Sequence, residues 1–167
     1  MNNYTIKDGM LLFWDSLFSQ WHMCQIVENG IKFKSAEHYM MYQKAILFND
    51  LDSAEKILQS YSPREAKALG RKVKNFNPEY WDANKYTIVV NGNYAKFSQN
   101  SNLKQALLDT EDLQLVEASP FDKIWGIGLD ANHPDATNPA KWEGQNLLGK
   151  ALTTVRAVLK KELNNDT

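Results

Sequence analysis

Ser35-Ala36-Glu37-His38-Tyr39-Met40-Met41-Tyr42-Gln43-Lys44-Ala45-Ile46-Leu47-Phe48 is the stretch whose reading decides the fold. Ser35 is of the type that caps a helix N-terminus, and no Gly or Pro interrupts residues 36 to 48. Apolar and aromatic side chains occur nearly all round this helix, the pattern of one enclosed in a domain interior. Its formally charged members are Glu37 and Lys44, two turns apart on the same face, with Met40 and Met41 between them. A rise of 1.5 Å per residue separates their backbones by roughly 10 Å. Both side chains are long enough to converge on one small ligand lying over the methionines. A narrow solvent-facing stripe is the other reading, because an interior charge is costly unless paired or hydrated. Glu37 also lies in the first turn, where the helix dipole favours its ionised form.

Before this helix the chain reads as short strands: Met10 to Phe13, Gln25 to Glu28 and Ile31 to Phe33. Asn29-Gly30 joins the last two and is the favoured pair for a two-residue hairpin turn. Helical signals dominate afterwards. Asp52 can cap a helix through about Gln59, and Ser62-Pro63-Arg64-Glu65 combines a cap, a first-turn proline and a capping box. Asn77-Pro78 opens a longer helix with Trp81, Lys85 and Val89, reaching about Phe97, and Asn102 to Leu108 forms another. Leu113 to Glu117 and Lys123 to Gly126 read as extended, Asp130 to Gln145 as a polar loop, and Asn146 as the cap of a last helix ending near Leu163. The expectation is an α+β fold: one compact, mainly helical domain over residues 1–167 with a small antiparallel sheet.

A second concentration of chemistry lies between Leu115 and Gly128. A strand delivers Glu117, a turn presents Asp122, and Trp125 precedes Gly126 and Gly128, which permit close backbone approach. A carboxylate beside an indole can hold a sugar hydroxyl while the ring stacks on a base. A hairpin with a core tryptophan and a turn aspartate is the plainer alternative. Trp81 and Trp142 likewise read as packing residues.

Composition bounds the rest. The chain has 167 residues, 43% of them hydrophobic and 23% charged, with a net charge of -1, so it lacks the basic surface of a general nucleic-acid binder. Cys24 is the single cysteine and reads as a small packing side chain. No signal peptide is expected from the first residues, no apolar run approaches bilayer length, and the expected location is cytoplasmic, away from the membrane. No phosphate-binding glycine loop, no His-Glu-x-x-His and no Gly-x-Ser-x-Gly occurs, and His22, His38 and His133 lack metal-ligand spacing. Neither a metal nor a cofactor is expected.

Taken jointly, the motifs resemble the NADAR family (YbiA-like proteins). The matching pieces are Leu17-Phe18-Ser19-Gln20-Trp21, Ser35-Ala36-Glu37-His38-Tyr39 with Gln43-Lys44, and Ser62-Pro63 followed by Ala66-Lys67-Ala68-Leu69-Gly70-Arg71. Trp81, Ala95-Lys96-Phe97, Leu115-Val116-Glu117, Asp122 with Trp125-Gly126-Ile127-Gly128, Gly144-Gln145-Asn146-Leu147-Leu148-Gly149 and Arg156 come next, in the family's order. They cover about residues 12 to 160.

The resemblance implies N-glycosidase chemistry on ribosylated bases. The leading expectation is removal of ADP-ribose from guanine in DNA or RNA, as an antitoxin-like reversal of a cognate ADP-ribosyltransferase toxin. The alternatives are hydrolysis of a phosphoribosylated pyrimidine of riboflavin synthesis, a small phosphorylated N-riboside, or non-catalytic binding of ADP-ribose or NAD. By motif position it puts the family's functional residues on Glu37, Lys44, Trp81, Asp122 and Trp125; the expectation is that Glu37, Lys44 and Asp122 are catalytic and that Ser19, Gln20, Trp81, Glu117, Trp125, Gly126 and Asn146 bind substrate. Glu37 would serve the sugar. Lys44 would bind phosphate, donate a proton or form a Schiff base with ring-opened ribose. Asp122 would orient ribose hydroxyls or water, and Trp81 and Trp125 would supply stacking walls. Arg64, Lys67 and Arg71 lie on or near one helix and read as a solvated basic face or as phosphate contacts. Arg156 reads as a structural ion pair or a phosphate contact. Gln20, His22, Thr87 and Thr153 depart from the family's usual residues, and the first two bear on the shape of the base pocket.

Overall fold

The computed structural model describes residues 3–166. Its elements run β1 (Tyr4–Lys7), β2 (Met10–Phe13), β3 (Met23–Glu28), β4 (Ile31–Ser35), α1 (Ala36–Leu47), α2 (Leu51–Gln59), α3 (Pro63–Gly70), α4 (Pro78–Gln99), α5 (Ser101–Leu108), β5 (Gln114–Glu117) and α6 (Leu147–Asn165). This is the expected α+β composition, mainly helical. The chain divides into two compact units, Gln20–Asn100 and the residues through Ser19 with those from Ser101 onward.

In the Gln20–Asn100 unit, β3 and β4 form the anticipated antiparallel hairpin, pairing Glu28 with Ile31 and Ile26 with Phe33. Asn29 and Gly30 both have positive φ, 52° and 78°, as their turn requires. α1 packs against β3, β4, α2, α3 and α4, which explains why its sequence is apolar nearly all round. Two glycines bring neighbouring helices into backbone range. A Cβ on Gly92 would lie 2.5 Å from the Tyr39 ring, and one on Gly70 would overlap the Met41 sulfur. The hairpin side of α1 is filled by Ile26, Phe33, Ala36, Tyr39 and Ala95, with half-buried Cys24 against them. Phe33 meets Tyr39 and Tyr42 edge-on at 5.1 and 5.2 Å.

The caps obey local chemistry. Ser35, Ser62 and Asn77 accept the N–H groups of His38, Glu65 and Tyr80 respectively. Glu65 closes its box one residue further out than expected, accepting from the Tyr61 N–H. The cap of α2 is Asp50 rather than Asp52. Asp50 accepts from the Ser53 N–H and hydroxyl and from the Lys74 N–H, and these bonds hold its carboxyl down at about 2. Asp52 instead sits in the first turn and pairs with Lys56.

In the other unit, β2 lies between β1 and β5. The small antiparallel sheet expected is the β3–β4 hairpin; the sheet of this unit is mixed, β1 and β2 antiparallel but β2 and β5 parallel, Leu12 opposite Val116. A long connection through several helices makes that direction available. β1 itself was not foreseen. Met10, Leu12, Val116, Ala118, Ile127, Leu129 and Ala136 form the core, with Trp142 packed on it.

Two local expectations fail for identifiable reasons. Lys123–Gly126 is not a strand, because Asp122 Oδ1 accepts from both the Ile124 and Trp125 N–H groups and folds the segment into a turn. Asn146 precedes α6 in a left-handed conformation and makes no side-chain cap. Its amide clasps β5 instead, donating to the Leu115 carbonyl and accepting from the Glu117 N–H. Gly149, one turn on, lies so close that a Cβ would overlap the Leu115 carbonyl.

Alanine inside a helix normally improves stability by about 1 kcal/mol over glycine. For Gly149→Ala we expect the opposite, a net loss of about 2 kcal/mol from overpacking against rigid backbone. Urea unfolding checks this, and a midpoint above that of the parent protein would contradict the packing described.

Candidate active site

The N-terminal end of α1 is fixed before any ligand is considered. Gln20 is buried, its carbonyl accepts the Glu37 N–H, and its side-chain oxygen accepts from Asn93 Nδ2 at 2.8 Å. Glu37 is 4% exposed, an interior carboxylate in the first turn of a helix. The solvent-stripe reading is therefore wrong for Glu37. His38 beside it is held by Ser35 and by the Ser60 carbonyl, which accepts from Nε2. Burial lowers its pKa and favours the neutral ring, so His38 is a structural histidine.

Lys44 is half-buried, and its ammonium rests 4.6 Å from the Phe76 ring centroid and 5.6 Å from that of Trp81. Burial pushes its pKa down, the nearby charge of Glu37 pulls it back up, and the positive charge of Arg71 lowers it again. The structure thus brings Glu37, Lys44 and Trp81 together about α1, with Gln20 anchoring one end. Phe48 packs edge-on to Phe76 at 5.3 Å and closes the aromatic wall. A carboxylate, an amine of reduced basicity and indole and phenyl faces along one helix can stabilise a cation, deliver a proton and stack a base.

Two interior polar residues of α4 were not anticipated. Asn93 is fully buried, donates to both Gln20 and the Val89 carbonyl, and leaves its own Oδ1 without a hydrogen-bond partner. Lys96, one turn further along α4, is also fully buried, and burial pushes its pKa down to about 8. Polar residues are spread along all of α4, so neither stood out as interior. The half-buried Lys67 holds its ammonium 6.0 Å from the ring of Trp21, the residue after Gln20.

The remaining positions belong to the other unit, and all but Ser19 gather at the end of β5. Glu117 is buried and its carbonyl accepts from Ile127. Gly126 allows no side chain, since a Cβ would lie 2.9 Å from both the Asp122 and Glu117 carbonyls. Asp122 and Trp125 are half-buried and tied to one another by the turn, so Asp122 Oδ1 is engaged and Oδ2 would carry any ligand chemistry. Ser19 is buried after β2, its N–H donating to Ser16. Both ends of the Asn146 amide hold β5. Arg156 donates to the Thr110 hydroxyl and the Leu113 carbonyl, a structural brace and not the ion pair considered for it. Among the described residues no group of His, Cys, Asp or Glu could hold a metal ion, and no helix is long and apolar enough to cross a membrane.

A family profile described as the NADAR domain matches residues 12–160. N-glycosidase R617 of Acanthamoeba polyphaga mimivirus is 48% identical over 145 residues, covering 84% of this chain and 85% of that protein. Riboflavin biosynthesis protein VVA0006 of Vibrio vulnificus is 30% identical over 141 residues, covering 84% of this chain but 35% of its own length. The NMR structure of the E. coli protein YbiA superposes with a TM-score of 0.77 at 27% identity, covering 96% of this chain and 90% of that one.

The balance of charges on Lys44 has a signed consequence. Glu37→Gln removes an anion and should lower the Lys44 pKa further, whereas Arg71→Gln removes a cation and should raise it. NMR titration of isotopically methylated lysine reads both shifts, and an unchanged Lys44 in both variants would show that these groups do not share a site.

Proposed function

The chain belongs to the NADAR family, and on that footing we propose that it is an N-glycosidase that hydrolyses a ribose–base bond, with ADP-ribosylated guanine in nucleic acid as its substrate. The observation carrying this reading is the buried Glu37 placed electrostatically beside Lys44, whose basicity is reduced by burial. The relatives' names support the reaction class, N-glycosidase in one and riboflavin biosynthesis in another.

The chemistry asks for two unlike groups. As the bond from the anomeric carbon to the base nitrogen breaks, its electron pair leaves with the base and positive charge develops on the sugar. Ionised Glu37 offsets that charge and takes a proton from the incoming water, whose oxygen bonds to the anomeric carbon. The departing nitrogen takes a proton from the ammonium of Lys44, and the two side chains then exchange the water's proton. The products are the sugar with a new hydroxyl and the base with a new N–H. The neutral amine of Lys44 has a second route: it adds to the anomeric carbon of the ring-opened sugar, the bond to the base nitrogen breaks as that nitrogen takes a proton, and water hydrolyses the resulting Schiff base to free the sugar and the amine. Trp81 and Phe76, whose faces border Lys44, would pack against the substrate's planar part.

A small phosphorylated pyrimidine N-riboside is the second substrate reading, supported by the riboflavin-biosynthesis relative. Incubation with an ADP-ribosylated guanosine oligonucleotide should release ADP-ribose. Inertness there with turnover of the pyrimidine riboside would replace the first substrate by the second, and binding without release would leave a non-catalytic module. Glu37→Gln should lower the rate by at least about 100-fold while the fold and ligand affinity remain, and full retained activity would remove Glu37 from the mechanism. Borohydride added during turnover should yield a covalent adduct at Lys44 if the amine route operates and none if Lys44 acts only as an acid.

A further inference from the structure

α3 and the turn after it carry five basic residues between positions 64 and 74, Arg64, Lys67, Arg71, Lys72 and Lys74, against one acid, Glu65. That acid is already engaged with the Tyr61 N–H. A basic helix face normally needs no explanation beyond solvation, and the sequence left Arg64, Lys67 and Arg71 between that reading and phosphate contacts. Their placement against α1 is more specific. Gly70 abuts Met41, which lies between Glu37 and Lys44, and so fixes α3 alongside the candidate site. Arg71 is the next residue, close enough to Lys44 for its charge to be felt there. Lys67, one turn back, stands over Trp21, next to the Gln20 carbonyl that anchors Glu37. The two cations therefore flank the Glu37–Lys44 stretch along one side, while Trp81 and Phe76 border Lys44.

Glu37 is the opposite charge felt at Lys44. Among the described residues Lys44, Lys67 and Arg71 make no ion pair with a carboxylate, and the guanidinium of Arg71 makes no hydrogen bond. Three positive charges kept close, with Glu37 offsetting only part of them, raise the free energy of the empty protein and lower that of one holding a multivalent anion. Arg71 brings a planar fork suited to two phosphate oxygens, and Lys67 and Lys44 bring point charges.

We propose that Arg71 and Lys67 form a phosphate subsite, which holds the phosphate or pyrophosphate of the ribosyl group to be removed and thereby places its anomeric carbon over Glu37. This rests on the N-glycosidase reading for its purpose but not for its existence. The same chemistry would also accept a backbone phosphate of nucleic acid, so the test separates the two sources.

Binding of inorganic pyrophosphate, ADP-ribose, an unmodified oligonucleotide and unphosphorylated guanosine is measured by tryptophan fluorescence and calorimetry. The proteins compared are the parent, Arg71→Gln, Lys67→Gln, Arg71→Lys and, as a control on the same surface, Lys72→Gln. Loss of one charged hydrogen-bonding partner should weaken pyrophosphate and ADP-ribose by about 10-fold or more in each Gln variant. Arg71→Lys should recover part of this, and Lys72→Gln and guanosine binding should be unaffected. Failure of the parent to bind pyrophosphate or ADP-ribose, or equal weakening by Lys72→Gln, overturns the subsite and leaves a solvated basic face. Arg71-dependent binding of the unmodified oligonucleotide without pyrophosphate binding overturns the assignment to the ribosyl group. Arg71-dependent ADP-ribose binding with no cleavage of any N-riboside upholds the subsite and removes the glycosidase reading.

Discussion

The Gln20–Asn100 unit depends on the enclosure of α1. Every other strand and helix of that unit packs against it, and Gly70 and Gly92 let two of those helices approach until their backbones meet Met41 and Tyr39. Enclosure makes a charge on this helix expensive, which is the reason the two it carries are informative. Glu37 is kept ionisable by its place in the first turn. Lys44 is kept at the margin, half-buried, with aromatic faces against its ammonium and a carboxylate within electrostatic reach. The same packing that builds the interior thus sets the acid–base character of the site.

Enclosure also explains why supporting residues are so fully engaged. Gln20 ties the start of α1 to α4 through Asn93, and His38 ties its first turn to the Ser60 carbonyl after α2. These are buried polar contacts on named partners, and they hold the backbone of Glu37 without using its carboxylate. The other unit has an analogous device in Asn146, whose amide completes the edge of β5 while Gly149 lets α6 approach. A polar residue that fixes backbone in this way looks, in sequence, much like one that binds a ligand.

Much of the fold was legible because its signals are local. The Asn29-Gly30 turn and the caps at Ser35, Ser62 and Asn77 depend on neighbouring residues and fell where expected. Errors arose where a distant or competing partner decided the outcome. Asp50 won the α2 cap over Asp52 while also accepting the Lys74 N–H, a contact no local pattern reveals. The Asp122 turn outcompeted the apolar character of the residues after it. The parallel pairing of β2 with β5 joins segments far apart in the chain. β1 has three exposed residues out of four and so little apolar alternation to announce it. For the site, Glu37 and Lys44 were visible as charges in an apolar helix, and the resemblance gave them a role. Arg71 and Lys67 were legible as a basic face or as phosphate contacts without a place, since their relation to α1 comes from the contact of Gly70 with Met41. Asn93 and Lys96 were hidden by the general polarity of α4.

The most direct test of the central claim, that the interior face of α1 is where the ribosyl bond is handled, is a crystal structure of the Glu37→Gln protein with ADP-ribose bound. The account predicts the anomeric carbon beside residue 37 and within reach of the Lys44 amine. Ordered ADP-ribose elsewhere on the chain, with the face between residues 37 and 44 left to the protein's own side chains, would contradict it.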